Sequence, residues 1–159
     1  MPLSTVWALV IMVAAFTAAA ANILFLTAKD QERVQAASEK ALTMIKGECS
    51  NNLAHITEIR AAFKANRYPI NGLEMAAWNI VSSGGLLVRV DQDILAKVAN
   101  IYYLVGVTNN HQARLIEMNY GVGAAVQNSA QSRQEHVQFI TNDIDALEPK
   151  LKELVALIK

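Results

Sequence analysis

The amino-acid sequence predicts an all-α protein, with one N-terminal transmembrane helix followed by a bundle of three or four helices. Two observations predict this fold class. The N-terminal run is uncharged, and apolar residues recur every three or four positions along the rest of the chain. No segment shows the period-two alternation of a half-buried strand. The predicted division is a transmembrane anchor over residues 1–28 and a helical bundle domain over residues 29–159.

The anchor is predicted from the absence of charge. Lys29 is the first charged side chain, and residues 5–26 form the apolar run TVWALVIMVAAFTAAAANILFL. At ~1.5 Å per residue, this run spans about 33 Å as a helix, which suits a hydrocarbon core of about 30 Å. The lipid bilayer is therefore the first expected partner.

A cleaved signal peptide is the alternative interpretation of the same run. Four alanines before Asn22 offer a cleavage site, but no Lys or Arg precedes the apolar residues, and these continue beyond that site. A retained anchor fits these observations better. Cleavage would instead release an exported soluble helical protein.

Basic residues near the ends of the run predict its orientation. Lys29, Arg33, Lys40 and Lys46 follow the run, and none precedes it. Because basic flanks stay in the cytoplasm, we expect the N-terminus outside and the C-terminal domain in the cytoplasm. Cys49 is the single cysteine, so no internal disulfide forms and a reducing compartment is compatible.

Small residues share one face of the predicted span. Ala14, Ala18 and Ala21 align along the helix, with Asn22 beside them. Such a face lets another membrane helix approach closely, and an amide can hydrogen-bond across the contact. The face predicts self-association or docking onto another membrane protein. The alternative is that alanine is common in such helices and that Asn22 stays hydrated at the interface.

Turn-forming residues divide the rest of the chain into helices. The first helix is expected to end at the sequence YPING, residues 68–72, and a short helix over residues 73–81 to stop at SSGG. Asp91 is the expected N-cap of a long helix over residues 92–120, which ends before Gly121 and Gly123. The apolar stripe of the first helix consists of Val34, Ala37, Ala41, Ile45, Cys49, Leu53, Ile56, Ile59 and Phe63.

The last helix has the most regular pattern. Its apolar residues alternate spacings of three and four, which are the a and d positions of left-handed helix packing. This seam packs either within the chain or between chains. Pro149 falls outside the seam, so we expect a kink or a restart of the helix there. The seam residues are Val137, Ile140, Ile144, Leu147, Leu151, Leu154 and Ile158.

Charge and motifs argue against several classes of function. The chain has 14 basic and 14 acidic residues, whereas nucleic-acid binding needs a basic face. The sequence has no phosphate-binding loop, nucleophile elbow or zinc-hydrolase motif, and no Glu is followed three positions later by His. We therefore predict a non-enzymatic protein without catalytic residues, cofactor or metal. His55, His111 and His136 are expected to be hydrogen-bonded within the fold or to face solvent.

Four polar or aromatic residues remain as candidate ligand or partner contacts: Trp78, Tyr102, Tyr103 and Asn109. Tyr102 and Asn109 are two turns apart on one face of the predicted helix. One interpretation is that Asn109 fixes helix register or receives a partner's backbone. The other is that it lies at the solvent edge and a tyrosine hydroxyl supplies its hydrogen bond.

The order of these residues resembles a known layout. Trp78 is followed by Ser83-Gly84 and Leu86, then by Tyr102-Tyr103 and Asn109-Asn110, and then by a closing helix rich in Leu, Glu and Lys. This layout, over residues 5–158, resembles a loose group of bacterial single-pass membrane proteins with a small cytoplasmic helical domain. The resemblance implies an anchored helical bundle and a bacterial source, and therefore a bacterial inner-membrane location with the N-terminus outside and the C-terminal domain cytoplasmic. It implies no catalytic residues.

The expected function is that of a non-enzymatic, membrane-anchored helical adaptor, scaffold or accessory subunit of a membrane protein complex. Its expected partners are the bilayer and either another membrane protein or a second copy of the chain, with no nucleic acid. Two alternatives remain. One is a membrane-anchored sensor that binds a ligand between helices beside the aromatic residues, and the other is the exported soluble protein.

Overall fold

The computed structural model describes the backbone of residues 3–120 and 130–158, and the side chains of residues 16–120 and 131–158. Within these ranges every regular element is helical, which confirms the all-α prediction. The helices are α1 (Leu3–Lys64), α2 (Ala76–Ser83), α3 (Gln92–Tyr120) and α4 (Ala130–Leu157). The chain separates into two compact units, Met1–Ala37 and Ser38–Lys159.

The first unit exposes its apolar residues. Every described side chain from residue 16 to residue 36 is exposed. Phe16 and Leu24 have 79% and 71% of their surface accessible to solvent. Within the described part of the chain, no helix combines the length and apolar character that crossing a membrane requires. Residues 5–15 of the predicted span lie outside the described side chains.

In the second unit, contacts along α4 establish the directions of the long helices. The second unit contains residues 38–64 of α1. Lys46, near the start of this stretch, donates to the carbonyl of Ile158 at 2.5 Å, and Arg60, near the end of the stretch, binds Asp145 at 2.5 Å. α4 therefore runs antiparallel to α1. Lys97 pairs with Glu153 and His111 with Asp143, so α4 also runs antiparallel to α3.

Residues 71–83, here called the return segment, run back along α1. Asn71 lies beside His55, Glu74 beside Asn52, and Ala77 beside Glu48. The segment is non-helical over residues 71–75 and then forms α2. The second unit is thus an up-down-up-down bundle in which the return segment takes the second position.

All four positions of the bundle contribute to one core. Six of the seven seam residues of α4 are buried and Val137 is half-buried, so the seam is used within the chain and is not available to another copy. The core consists of Ala41, Ile45, Cys49, Ile56, Ile59, Leu73, Val81, Val98, Ile101, Tyr102, Val105, Leu115, Ile140, Ile144, Leu147, Leu151, Leu154 and Ile158.

The helix bounds agree with the prediction for α3 and differ for α2. Asp91 caps α3, because its carboxylate accepts hydrogen bonds from the amides of Asp93 at 2.8 Å and Ile94 at 3.3 Å. The short helix was predicted over residues 73–81 and begins three residues later, at Ala76. α4 is helical on both sides of Pro149, which is exposed, so no restart occurs there. The predicted break at residues 121–123 lies outside the described residues.

Candidate functional site

The non-helical part of the return segment depends on side chains for its hydrogen bonds. Backbone N–H and C=O groups taken out of water must find partners, and residues 71–75 have no helix or strand to supply them. Side chains of α1 and α3 supply partners from the two sides. We call Glu48, Asn52, Tyr102 and Asn109 the clamp.

Two asparagines each bind both polar backbone groups of one residue. On α1, Asn52 accepts a hydrogen bond from the amide of Glu74 at 2.7 Å and donates to its carbonyl at 3.0 Å. On α3, Asn109 accepts from the amide of Leu73 at 2.7 Å and donates to its carbonyl at 2.9 Å. Consecutive residues of the return segment are therefore held from opposite helices.

The side chain of Asn109 lies so close to the return segment that residue 72 must be small. A Cβ atom placed on Gly72 would lie 2.8 Å from the side-chain oxygen of Asn109. That distance is shorter than van der Waals contact, so any larger residue would push the amide away from Leu73. Gly72 is therefore part of the same arrangement.

Glu48 caps α2 from another helix. Met75 precedes α2 and supplies no side-chain cap. Instead, the carboxylate of Glu48 accepts hydrogen bonds from the amides of Ala77 at 2.7 Å and Trp78 at 3.4 Å. A buried negative charge there complements the unpaired amides and the positive end of the helix dipole.

The aromatic candidates are used inside the bundle. The rings of Trp78 and Tyr102 stack with centroids 5.1 Å apart, and the Tyr102 hydroxyl donates to Glu48 at 2.6 Å. Burial raises the pKa of Tyr102, so the phenol stays protonated and remains a donor. The structure thus joins Trp78, Tyr102 and Asn109 around the return segment, whereas Tyr103 points outward with 69% of its surface exposed.

Asn109 receives backbone groups, as one interpretation expected, but those of its own chain. The other interpretation, a tyrosine hydroxyl bonded to Asn109, does not apply to Tyr102, whose hydroxyl donates to Glu48. The four candidates of the predicted membrane helix lie elsewhere. Ala18, Ala21 and Asn22 are exposed in the first unit, and Ala14 lies outside the described side chains.

The clamp holds backbone and does not present a nucleophile. Cys49 lies beside it, fully buried, and burial raises the pKa of its thiol to about 11, so the thiol is protonated at neutral pH. Both carboxylate oxygens of Glu48 already accept hydrogen bonds. Among the described side chains, no group of three His, Cys, Asp or Glu residues gathers as a metal site would require.

Each histidine has a hydrogen-bonding contact within the second unit. His55 lies 3.1 Å from the carbonyl of Asn71, and His111 lies 2.7 Å from Asp143 on α4. His136 lies 3.0 Å from the carbonyl of Ser132 in its own helix. Each of these contacts joins or supports helical elements of the bundle.

Sequence inspection missed Glu48 and Asn52, although a signal was present. They fall at spacings of three and four within an apolar stripe that contains Ala41, Ile45 and Ile56. A polar residue at such a position is buried and must find a partner. The stripe was instead predicted to pass through Cys49 and Leu53, which lie one position further along the chain.

No protein family matches this sequence, and no curated protein or solved structure is similar to it. The features from which function can be inferred are therefore those of the chain itself. They are the self-contained bundle with its clamp and the exposed apolar residues of the first unit.

Proposed function

We propose that the protein is a non-enzymatic, membrane-anchored helical scaffold or accessory subunit of a membrane protein complex. The exposure of apolar residues in an uncharged stretch supports this most directly. Phe16, Ile23, Leu24, Phe25 and Leu26 each keep more than half of their surface exposed. Because exposed apolar area costs about 25 cal/mol per Å², lipid or a partner helix is expected to cover them.

The proposed topology follows the charges. Residues 1–28 carry none, and the basic residues come after them, which favours an inner membrane with the bundle in the cytoplasm. The bundle buries the apolar seam of α4, and the first unit is the surface that we propose for lipid and for partner helices. Ala14, Ala18, Ala21 and Asn22 are the proposed helix-packing positions.

Membrane fractionation tests the proposal. The tagged full chain should stay with membranes after an alkaline carbonate wash, whereas Leu24→Lys combined with Phe25→Lys should release most of it. Ile80→Lys, at a position 54% exposed in α2, is the control and should remain bound. Release of the wild-type chain by the wash would contradict the anchor.

Purification in a mild detergent tests whether the protein associates with a partner in the membrane. A scaffold or accessory subunit should co-purify with another membrane protein or with a second copy of itself. Leucine at Ala14 and Ala18 should weaken that association by blocking close helix approach. Unchanged association would remove this face from the proposal.

The two alternatives make different predictions. An exported soluble protein would have a mature N-terminus near Asn22, which intact-mass measurement detects. A ligand between the aromatic residues would need space that Trp78 and Tyr102 fill by stacking on each other. The stacking of these two rings therefore favours the anchored scaffold over the ligand-binding alternative.

A further inference from the structure

A cleft of about 380 Å³ lies at one end of the second unit, where α1 ends and α4 begins. It is part of the bundle but is separate from the clamp. Its volume is within the range of about 300–1,000 Å³ that small-molecule sites occupy. The lining residues are Phe63, Asn66, Tyr68, Arg133, Gln134 and Val137.

The guanidinium of Arg133 has no acidic partner among the residues that the structure describes. Arg133 is half-buried, none of the described residues that line the cleft is acidic, and none of the described residues forms an ion pair with it. Arg60, another half-buried arginine of the same bundle, binds both Asp145 and Glu148. A charge partly withdrawn from water is unfavourable without a partner, so Arg133 is suited to bind an external anion.

Neutral hydrogen-bonding groups surround that charge. The side chains of Asn66, Tyr68 and Gln134 line the same cleft, and each can donate. Asn66, two residues beyond the end of α1, adopts a left-handed backbone conformation with φ of 52°. Its amide donates to the carbonyl of Phe63 at 3.0 Å, so the helix end determines where Asn66 lies.

The rest of the lining is apolar. Phe63 and Val137 are half-buried and pack against the edge of the core. One positive charge, three neutral donors and an apolar wall are the usual features of a site for an amphipathic anion. The guanidinium can bind two oxygens of a carboxylate or phosphate at once.

We propose that this cleft binds a small organic oxyanion, in which a carboxylate or phosphate is attached to an aromatic or apolar body. Arg133 pairs with the oxyanion, and Asn66, Tyr68 and Gln134 donate to its remaining oxygens. Phe63 and Val137 contact the body. The site is a further function of the bundle and does not depend on membrane anchoring.

Calorimetric titration of the full chain in detergent tests the site. The probes are phenyl phosphate, benzoate and inorganic phosphate. Phenyl phosphate or benzoate should bind saturably with one site per chain, and phenyl phosphate should bind at least about tenfold more tightly than inorganic phosphate, because the apolar wall adds about 1.4 kcal/mol or more. Absence of saturable binding by all three probes would overturn the proposal. Equal binding of the two phosphates would overturn its apolar part.

Variants of Arg133 distinguish binding in this cleft from nonspecific electrostatic attraction of the anion to the protein. Arg133→Gln should weaken phenyl phosphate binding at least about tenfold. Arg133→Lys should retain only part of the binding, because lysine keeps the positive charge but cannot donate two parallel hydrogen bonds to the oxyanion. Arg114→Gln, an exposed arginine of α3 outside the cleft, is the matched control and should bind like wild type. Equal weakening by Arg133→Gln and Arg114→Gln would contradict a defined site.

Micelles doped with phosphatidic acid distinguish the source of the oxyanion. Competition with phenyl phosphate would assign the site to a lipid headgroup, and lack of competition would assign it to a soluble ligand. Either result retains the site. Circular dichroism of the Arg133 variants confirms that the bundle remains folded.

Discussion

At the scale of single residues, Asn52 and Asn109 take the place of a neighbouring strand. Each binds the N–H and the C=O of one backbone residue, the pairing that one residue of a sheet gives to the next strand. Asn52 is fully buried, so water cannot replace it if it is removed. The cost of losing it therefore includes two partly buried hydrogen bonds to the backbone of Glu74.

Two adjacent asparagines offer a matched test of this role. Asn52→Leu should lower the free energy of unfolding by about 2–4 kcal/mol, because two partly buried hydrogen bonds to the backbone of Glu74 are lost. Asn51→Leu should cost less than about 1 kcal/mol, because its exposed hydrogen bond to the Glu74 side chain at 3.1 Å can be replaced by water. Urea unfolding of the full chain in detergent, followed by far-ultraviolet circular dichroism, measures both. Similar losses for the two variants would contradict the clamp.

At the scale of elements, local sequence patterns determine some helix bounds and not others. α3 begins after Asp91, as predicted, because the capping signal and the apolar period both lie within the helix's own sequence. α2 begins three residues later than predicted. The amides of Leu73 and Glu74 are held by Asn109 and Asn52, contacts that no local pattern contains.

The candidate site was predictable only in part for the same reason. Trp78, Tyr102 and Asn109 were selected as unusual residues on predicted helix faces, and the structure does bring them to one place. Their role was not predictable, because it depends on the return segment lying between α1 and α3. Glu48 was overlooked because a glutamate within an apolar stripe has the same local pattern whether it faces solvent or a helix N-terminus.

The ion pairs of Glu148 with Lys152 and Arg60 make the free energy of unfolding dependent on pH. Hydrogen bonds from Lys152 and then from Arg60 lower the pKa of Glu148 below its ordinary 4.5. The folded protein therefore binds this proton more weakly than the unfolded chain. The stabilisation is complete above the unfolded pKa and is lost as the pH falls through the lowered pKa. Because the pairs are partly exposed to solvent, the contribution is at most about 1 kcal/mol.

Glu148→Gln should remove this part of the pH dependence. Urea midpoints at about pH 7 and about pH 3 should differ less for Glu148→Gln than for wild type, because the variant loses the titrating group. Glu117→Gln changes an exposed residue of α3 that has no ion pair with any described residue, and it should keep the wild-type difference. An unchanged difference in Glu148→Gln would contradict the linkage.

At the scale of the whole molecule, the two units differ in how they use apolar residues. The second unit buries one continuous core and pairs the polar groups of its return segment. The first unit exposes every described side chain up to residue 36. Helical backbone whose side chains are exposed opens locally at low cost, so the charged stretch that begins at Lys29 should be accessible to proteases.

Limited trypsin digestion of the full chain in detergent tests this difference. The first cut should fall after Lys29 or Arg33, the latter with 71% of its side chain exposed. Sites within the bundle, such as Arg60 and Lys97, should be cut later because opening them requires breaking the core. Intact-mass measurement of early products identifies the order, and an initial cut at Arg60 or Lys97 would count against a stable second unit.

The clamp also has a consequence for the order of folding. Leu73 and Glu74 are bonded by α3 and α1 respectively, and Ala77 is bonded by α1, so these native hydrogen bonds cannot form while the helices are apart. The long helices form their backbone hydrogen bonds within their own sequence, whereas the return segment forms its hydrogen bonds only after α1 and α3 have come together. Residues 71–77 are thus expected to be the last part of the bundle to acquire native structure. They are also the first place where loosening between α1 and α3 would expose backbone to water.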